Sequence, residues 1–171
     1  PGGIAVAKLT AKVNEAAVLK AAEETPAGAM HIAKTFEDAG LPPGVLNLVF
    51  GQPAEISSHL IPQDPVKLVA FTGSTLVGRH LSTLAAQNMT NVLMELGGHA
   101  PVIICEDTDV KTSAISCAVR KMRNAGQVCT SPTRFFAHES IFDEYAASFV
   151  ERAASTVVGY GMKSGVEMGP T

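Results

Sequence analysis

Residues 66–78 have the sequence VKLVAFTGSTLVG, and this stretch decides the fold. Residues 66–71 are an apolar run of strand length. The glycine and hydroxyl residues that follow are typical of a turn that leads into a helix, and helical periodicity extends from residue 75 to about residue 87. The stretch therefore predicts a strand, a tight turn and a crossover helix, as in a βαβ unit.

Apolar runs and amphipathic stretches alternate along the rest of the chain in the same way. Thr25 and Pro26 predict a helix start, Gly40 predicts its end, and Ala29, Ile32, Ala33 and Phe36 share one helical face. Further strands are predicted to end at Lys20 and to cover residues 45–51, 91–96, 101–105 and 133–138. Further helices are predicted over residues 109–125 and 142–158. We therefore expect an α/β fold with mostly parallel sheets and crossover helices.

Composition narrows the class of protein. The 171 residues carry a net charge of −3 and are 46% hydrophobic and 17% charged, which is enough for a core and too apolar for disorder. The absence of a basic run argues against nucleic-acid binding, and no apolar stretch approaches the ~18 residues of a membrane span. Three cysteines, an odd and sparse set, argue against a disulfide framework and predict the cytoplasm.

The turn after residue 71 is a candidate anion site. Backbone N–H groups at the start of the following helix, with Gly73 and the hydroxyl of Ser74, could bind a phosphate. The alternative is an ordinary N-cap, for which serine is preferred on structural grounds. The dinucleotide fingerprint G-x-G-x-x-G is absent.

Two side chains are candidates for catalysis. Cys129 follows a predicted helix in a segment of small polar residues, where a substrate could reach its thiolate. Glu95 interrupts an apolar strand, so it is either a buried general base or a strand residue that points to water. Cys105 and Cys117 are expected to be buried small hydrophobes. The five histidines lack metal-ligand spacing, so no metal site is expected.

Five short segments of the sequence occur in an order that is typical of one protein family. They are Lys20-Ala21-Ala22-Glu23-x-Thr25-Pro26, Gly40-Leu41-Pro42-Pro43-Gly44-Val45-Leu46-Asn47, Phe71-Thr72-Gly73-Ser74-Thr75-x-x-Gly78, Met94-Glu95-Leu96-Gly97-Gly98 and Asn124-x-Gly126-Gln127-x-Cys129. Together they resemble the NAD(P)-dependent aldehyde dehydrogenase superfamily over essentially the whole chain. Ala21 stands where the family commonly has proline.

The resemblance implies a role for each matched residue. Cys129 would be the nucleophile, and Glu95 would be the general base that activates water. The cofactor-binding residues would be Lys20, Glu23, Gly73, Ser74, Val77, Gly78 and Leu96. The implied reaction oxidises an aldehyde to its carboxylic acid through a thiohemiacetal and a thioester, with NAD favoured over NADP because a glutamate at position 23 would repel a 2′-phosphate.

The resemblance also implies an organisation. Residues 1–97 would be the end of the NAD-binding domain and residues 98–171 the start of the catalytic domain, although the sequence alone favours a simple strand-to-strand turn at Gly97 and Gly98. The family's upstream oxyanion asparagine and downstream Glu-x-Phe-Gly-Pro segment have no counterpart here, so we expect a central fragment of a homo-oligomeric enzyme, a dimer or tetramer. Residues 124–134 most resemble those of bacterial family members that act on semialdehydes, succinate semialdehyde included. Two alternatives stay open: a nucleotide-binding fragment without turnover, and a cofactor-independent thiol esterase.

Overall fold

The computed structural model describes residues 4–10 and 15–169, with side chains described from residue 16 onward. The chain divides into two compact units, Pro1–Gly97 and Gly98–Thr171. Each unit has its own sheet with helices and its own buried cluster. The predicted α/β class with parallel strand pairs is confirmed.

The first unit contains a five-stranded sheet and three helices. In chain order its elements are β1 (Ile4–Thr10), β2 (Glu15–Lys20), α1 (Pro26–Asp38), β3 (Leu46–Val49), α2 (Pro53–Leu60), β4 (Val66–Gly73), α3 (Thr75–Ala86) and β5 (Asn91–Leu96). The strand order is β3-β2-β1-β4-β5. The pairs β2–β3 and β4–β5 are parallel, and β1 is antiparallel to both of its neighbours. Strands β2 and β4 therefore run in the same direction.

Neither β1 nor α2 is predicted from the sequence pattern. Residues 4–10 have no turn signal to mark a strand, and pairing with two neighbouring strands determines their conformation. Helix α2 begins with Pro53 and has Glu55 in its first turn, which are ordinary start signals. Its eight residues are too few to show a clear helical period.

Strand β4 provides the centre of the first unit's core. Val66 and Val69 are each 1% exposed, and Leu81 and Ala85 of α3 pack in the same cluster. The β1–β4 register shifts between Lys8 and Leu9, and this bulge allows two residues three positions apart to face the same side. Burial of each valine contributes roughly 1.5–3 kcal/mol relative to an exposed position. The core thereby fixes the position of the turn that follows β4.

Helix α1 begins and ends where the sequence predicts. Pro26 is its first residue, and Gly40 follows its end with a φ of 87°, in the left-handed region. Of its apolar face only Ala29 is buried, whereas Ile32 and Phe36 are each 49% exposed. The shared face therefore contacts the core over only part of its length.

The second unit is smaller and has a two-stranded parallel sheet. Its elements are β6 (Val102–Ile104), α4 (Val110–Met122), a 3-10 turn (Arg123–Gly126), β7 (Phe135–Ala137), a second 3-10 turn (Glu139–Ile141) and α5 (Phe142–Ala154). Its core contains Ile104, Ala114 and Tyr145. Helix α4 ends three residues before the predicted position because Asn124 and Ala125 adopt left-handed φ values of 50° and 54°.

Within the described residues, no helix combines the length and apolar character that crossing a bilayer requires.

Candidate active site

The carboxyl ends of four strands lie at one edge of the first unit's sheet. Lys20, the last residue of β2, is level with the last residue of β3 and, across Ala5, with Phe71 of β4. Thr72 of β4 is in turn level with Glu95 of β5. Ligands of open α/β sheets bind beyond the carboxyl ends of the strands. The structure therefore places the predicted cofactor-binding residues on or just after strands that end at this edge.

Lys20 and Glu23 form an ion pair just after β2. The Lys20 Nζ donates a hydrogen bond of 2.7 Å to Glu23 Oε1, and Lys20 is only 8% exposed. This bond holds the pKa of the Glu23 carboxyl below its usual value, so the group is anionic at neutral pH. A carboxylate has more acceptor positions than one ammonium group fills, so Glu23 can still accept hydrogen bonds from a diol.

Ser74 is the N-cap of α3. Its Oγ accepts a hydrogen bond of 3.3 Å from the Val77 N–H, so the ordinary capping role is observed. The hydroxyl proton is not used in this bond and remains able to donate to an anion. Val77 is 43% exposed and Leu76 is 75% exposed in the same first turn, which leaves an apolar surface beside the helix N-terminus.

Gly73 and Gly78 are required by packing. A Cβ on Gly73 would lie 2.4 Å from Cζ of Phe71, and a Cβ on Gly78 would lie 2.6 Å from Cδ2 of Leu96. Non-bonded carbon atoms do not approach that closely. Gly78 thus lets α3 pack against Leu96 of β5, and any contact of these residues with a cofactor stays a prediction.

Glu95 is exposed at the end of β5. Of the two alternatives that the sequence left open, the structure of this chain shows the strand residue that points to water. Residues 91–93 of β5 are also exposed, which shows that little of this chain packs over the strand. The Glu95 carboxylate therefore stays in contact with water. Its role as a general base does not require burial and stays a prediction.

Cys129 lies in the second unit, in a turn that follows three successive left-handed residues. Gly126 has a φ of 77° after the left-handed Asn124 and Ala125. The Asn124 side-chain amide donates to the Gln127 carbonyl at 3.1 Å and stabilises this reversal. The Cys129 thiol is exposed, as a nucleophile for an external substrate must be.

The other two cysteines differ from the expectation. Cys105 is exposed and Cys117 is half-buried. Ile104, the last residue of β6, is 3% exposed and faces the core, so the next residue points to the opposite side. The prediction that Cys105 is buried is therefore wrong. Across the described ranges, no three His, Cys, Asp or Glu side chains are grouped as a metal site.

Comparison with known proteins identifies the family. A sequence profile described as the aldehyde dehydrogenase family matches residues 4–171. The chain belongs to the aldehyde dehydrogenase family. The resemblance inferred from the five sequence segments is thereby confirmed.

Several curated relatives and solved structures match most of the chain. The 4-(hydroxymethyl)benzenesulfonate dehydrogenase TsaD1 of Comamonas testosteroni is 46% identical over 153 residues, which are 90% of this chain and 32% of that protein. The structure of succinate-semialdehyde dehydrogenase from Burkholderia pseudomallei has a TM-score of 0.85 at 38% identity, over 90% of this chain and 32% of that one. A mutant of aldehyde dehydrogenase C from Pseudomonas syringae, in complex with NAD+ and octanal, has a TM-score of 0.85 at 33% identity with the same coverage. The chain thus spans about a third of the length of these relatives.

Sequence reasoning missed two features beside the thiol of this aldehyde dehydrogenase chain. The left-handed run of residues 124–126 had a partial signal, because asparagine and glycine tolerate this conformation better than other residues. Ser131 had no signal: it is 3% exposed and its hydroxyl has no hydrogen-bond partner among the described residues. Glu95 belongs to the first unit and Cys129 to the second, and their joint role is part of the proposal below.

Proposed function

We propose that the protein containing this chain oxidises an aldehyde to its carboxylic acid, with NAD+ as the hydride acceptor. The observation that carries the proposal is the exposed Cys129 thiol, held in an ordered turn of a chain that belongs to the aldehyde dehydrogenase family. The exposed carboxylate of Glu95 and the polar groups beyond β2 and β4 support the same reaction.

Cys129 begins the reaction. Its thiolate adds to the carbonyl carbon, so a C–S bond forms and the carbonyl oxygen becomes an oxyanion. NAD+ held by the first unit would supply the hydride acceptor for that carbon, and Cys129 would then retain the acyl group as a thioester. The small and polar neighbours Thr130 and Ser131 leave the sulfur open to an incoming aldehyde.

Glu95 completes the reaction. Its carboxylate takes a proton from water, the resulting hydroxide attacks the thioester carbon, and the C–S bond breaks to release the acid and regenerate the thiolate. Because Glu95 is exposed, water can reach it directly. Only two residues separate Glu95 from Gly98 in the sequence, where the unit that contains Cys129 begins.

The first unit holds the cofactor in this proposal. The Ser74 hydroxyl and the N–H groups of the first turn of α3 would bind the pyrophosphate, and Lys20 and Glu23 would bind the adenosine ribose. The Glu23 carboxylate supports NAD+ over NADP+, because its negative charge would repel a 2′-phosphate.

The test compares variants of the complete protein that contains this chain. Cys129→Ser should lower NADH formation by at least ~10³-fold, because an alcohol replaces the thiol nucleophile. Cys105→Ser is the matched control, since that thiol is also exposed and should leave the rate unchanged. Retained oxidation in Cys129→Ser would refute the proposal.

Glu95→Gln separates the two halves of the reaction. Steady turnover should fall by ~10²–10⁴-fold, because no carboxylate activates water. One equivalent of NADH per site should still form in a first burst, because Cys129 and the hydride acceptor are intact. A variant that loses the burst as well would assign Glu95 another role.

A semialdehyde is the substrate that we propose. The support is the likeness of residues 124–134 to semialdehyde-oxidising members and the 38% identity to a succinate-semialdehyde dehydrogenase. The test is kcat/KM for succinate semialdehyde against butanal, which has the same chain length without the carboxylate. A higher value for butanal would exclude a preference for the charged substrate.

The proposal includes a cytoplasmic homo-oligomer, a dimer or a tetramer, as the family resemblance implies. Sedimentation of the complete protein and fractionation of its cells test these two points.

A nucleotide-binding role without turnover is the second candidate, because the predicted cofactor residues all lie in the first unit and the nucleophile lies in the second. Calorimetric titration of the 171-residue chain with NAD+ tests it, with Ser74→Ala and Lys20→Ala as variants that should bind more weakly. NAD+ binding together with no aldehyde oxidation by the complete protein would favour this candidate. Hydrolysis of an activated ester without NAD+ would instead favour a thiol esterase.

A further inference from the structure

His99 and Thr133 make three contacts within the second unit. The His99 carbonyl oxygen accepts hydrogen bonds from the Thr133 N–H and from the Thr133 hydroxyl, both at 2.9 Å. The His99 Nδ1 also lies 2.9 Å from Thr133 Oγ1. The two residues therefore bond through both main chain and side chains.

The Thr133 hydroxyl bonds to two groups of His99. Its single proton is donated either to the His99 carbonyl or to Nδ1. In the first case an Nδ1–H tautomer donates to Oγ1, and in the second case Nδ1 accepts from Oγ1. With either tautomer the hydroxyl connects the threonine to the imidazole.

This contact lies beside the turn that contains Cys129. Thr133 follows Cys129 by four residues, and a Cβ placed on Gly98, the neighbour of His99, would lie 3.8 Å from the Cys129 carbonyl oxygen. Between them, Ser131 is buried and its N–H donates to the Val128 carbonyl at 2.9 Å. The Gly98–His99 segment therefore lies close to the Cys129 carbonyl and is hydrogen-bonded to Thr133, four residues further on.

The main-chain part of the contact has an ordinary explanation. The Thr133 N–H to His99 bond continues the β6–β7 ladder, in which the Val102 N–H donates to the Arg134 carbonyl at 2.9 Å. The side-chain bonds are not needed for that ladder. They form a second connection that ties the end of the thiol turn to the residue after Gly98.

We infer that His99 and Thr133 are positioning residues, a latch that fixes the turn in which Cys129 meets the aldehyde. The effect of the latch on catalysis rests on the proposed function, in which Cys129 is the nucleophile. The latch acts through the main chain of the turn and touches no reacting atom. A shift of ~1 Å in a nucleophile can cost up to ~10²-fold in rate, so a modest loosening of the turn lowers kcat.

The first test measures amide hydrogen exchange in the 171-residue chain. Thr133→Val removes the hydroxyl and keeps the main-chain bond, so exchange of the Ser131 N–H should become about three- to tenfold faster. Thr133→Ser should restore the wild-type rate because it keeps the hydroxyl. Thr83→Val is the matched control, since the Thr83 hydroxyl also donates to a main-chain carbonyl, that of Arg79 at 3.0 Å.

A second pair of variants tests the imidazole. His99→Ala removes the imidazole and should act like Thr133→Val, whereas His99→Asn keeps a side-chain amide that can donate or accept near the position of Nδ1 and should retain slow exchange. Equal exchange of the Ser131 N–H in Thr133→Val and Thr83→Val would overturn the latch. So would a Thr133→Ser variant that exchanges as fast as Thr133→Val.

The catalytic meaning is tested in the complete protein. Thr133→Val should lower kcat about tenfold and leave KM for NAD+ within about twofold, because the latch acts on the thiol turn and not on the cofactor residues. A rise in KM for NAD+ with kcat unchanged would overturn the positioning role. If the complete protein oxidises no aldehyde, the proposed function fails, while the exchange rates still decide whether the latch exists.

Discussion

The two units place their predicted site residues on different kinds of backbone. In the first unit, Lys20, Gly73 and Ser74 stand where regular strands end or a regular helix begins. In the second unit, Cys129 stands in an irregular turn after the left-handed residues 124–126. The first turn of a helix provides free N–H groups, and in an open α/β sheet such turns follow the carboxyl ends of the strands. A strained turn, in contrast, can expose one side chain, but its shape depends on contacts specific to that turn.

The largest effect should come from the close packing that the first unit requires. Gly73→Ala places a methyl group 2.4 Å from the buried ring of Phe71, so we expect a loss of about 1–3 kcal/mol in the free energy of unfolding. Gly28→Ala is the control: Gly28 lies inside α1 with open space around it, so alanine should stabilise by about 0.5–1 kcal/mol. Urea unfolding measures both, and equal effects would show that Gly73 has no special packing role.

In the second unit, the free energy of unfolding should depend on which residues occupy the left-handed positions 125 and 126. Gly126→Ala adds a Cβ at a φ of +77° and 3.3 Å from the Lys121 carbonyl, so we expect a loss of about 1–2 kcal/mol. Ala125→Gly relieves the left-handed strain at φ 54° and should be neutral or stabilising by up to ~1 kcal/mol. Thermal unfolding of the two variants is the measurement. Destabilisation by Ala125→Gly would contradict the strained description of the turn.

These two regions also show what could be predicted from the sequence. Strand β5 and helix α3 agree with their predicted bounds to within one residue. In both elements the hydrophobic period and the flanking turn residues predict the same boundaries. The left-handed run after α4 was not predicted, because its conformation depends on bonds such as Asn124 to Gln127 that periodicity does not contain. The exposure of Glu95 could not be predicted either, because whether a strand face is covered depends on what packs over it.

Two serines provide a smaller and more direct comparison of the units. The Ser74 hydroxyl accepts a capping bond, so Ser74→Ala should cost about 1 kcal/mol of unfolding free energy. The Ser131 hydroxyl is buried without a described partner, so Ser131→Ala should be neutral or stabilising by up to ~1 kcal/mol. Both are measured by urea unfolding. A clear loss in Ser131→Ala would show that this hydroxyl has a partner, such as an ordered water.

The smallest effect concerns pH and the Lys20–Glu23 pair. Since the pKa of Glu23 is lowered in the folded chain from an ordinary value of 4.5, its contribution to stability is present above that pH and is lost as the pH falls through the folded pKa. The difference in Tm between wild type and Glu23→Gln should therefore shrink on acidification from neutral pH. Glu24→Gln removes the same charge at the next position as a control. A difference in Tm that is independent of pH would exclude this linkage.

The exposure of the Cys129 thiol has a consequence for how the purified protein is stored. A thiol exposed on the surface of the chain is within reach of hydrogen peroxide, which converts thiolates to sulfenic and then to sulfinic acids. The second of these steps is not reversed by ordinary reductants. Samples kept in air should therefore gain mass in multiples of oxygen on the peptides that contain Cys129 and the equally exposed Cys105, and a thiol reductant added early should prevent it.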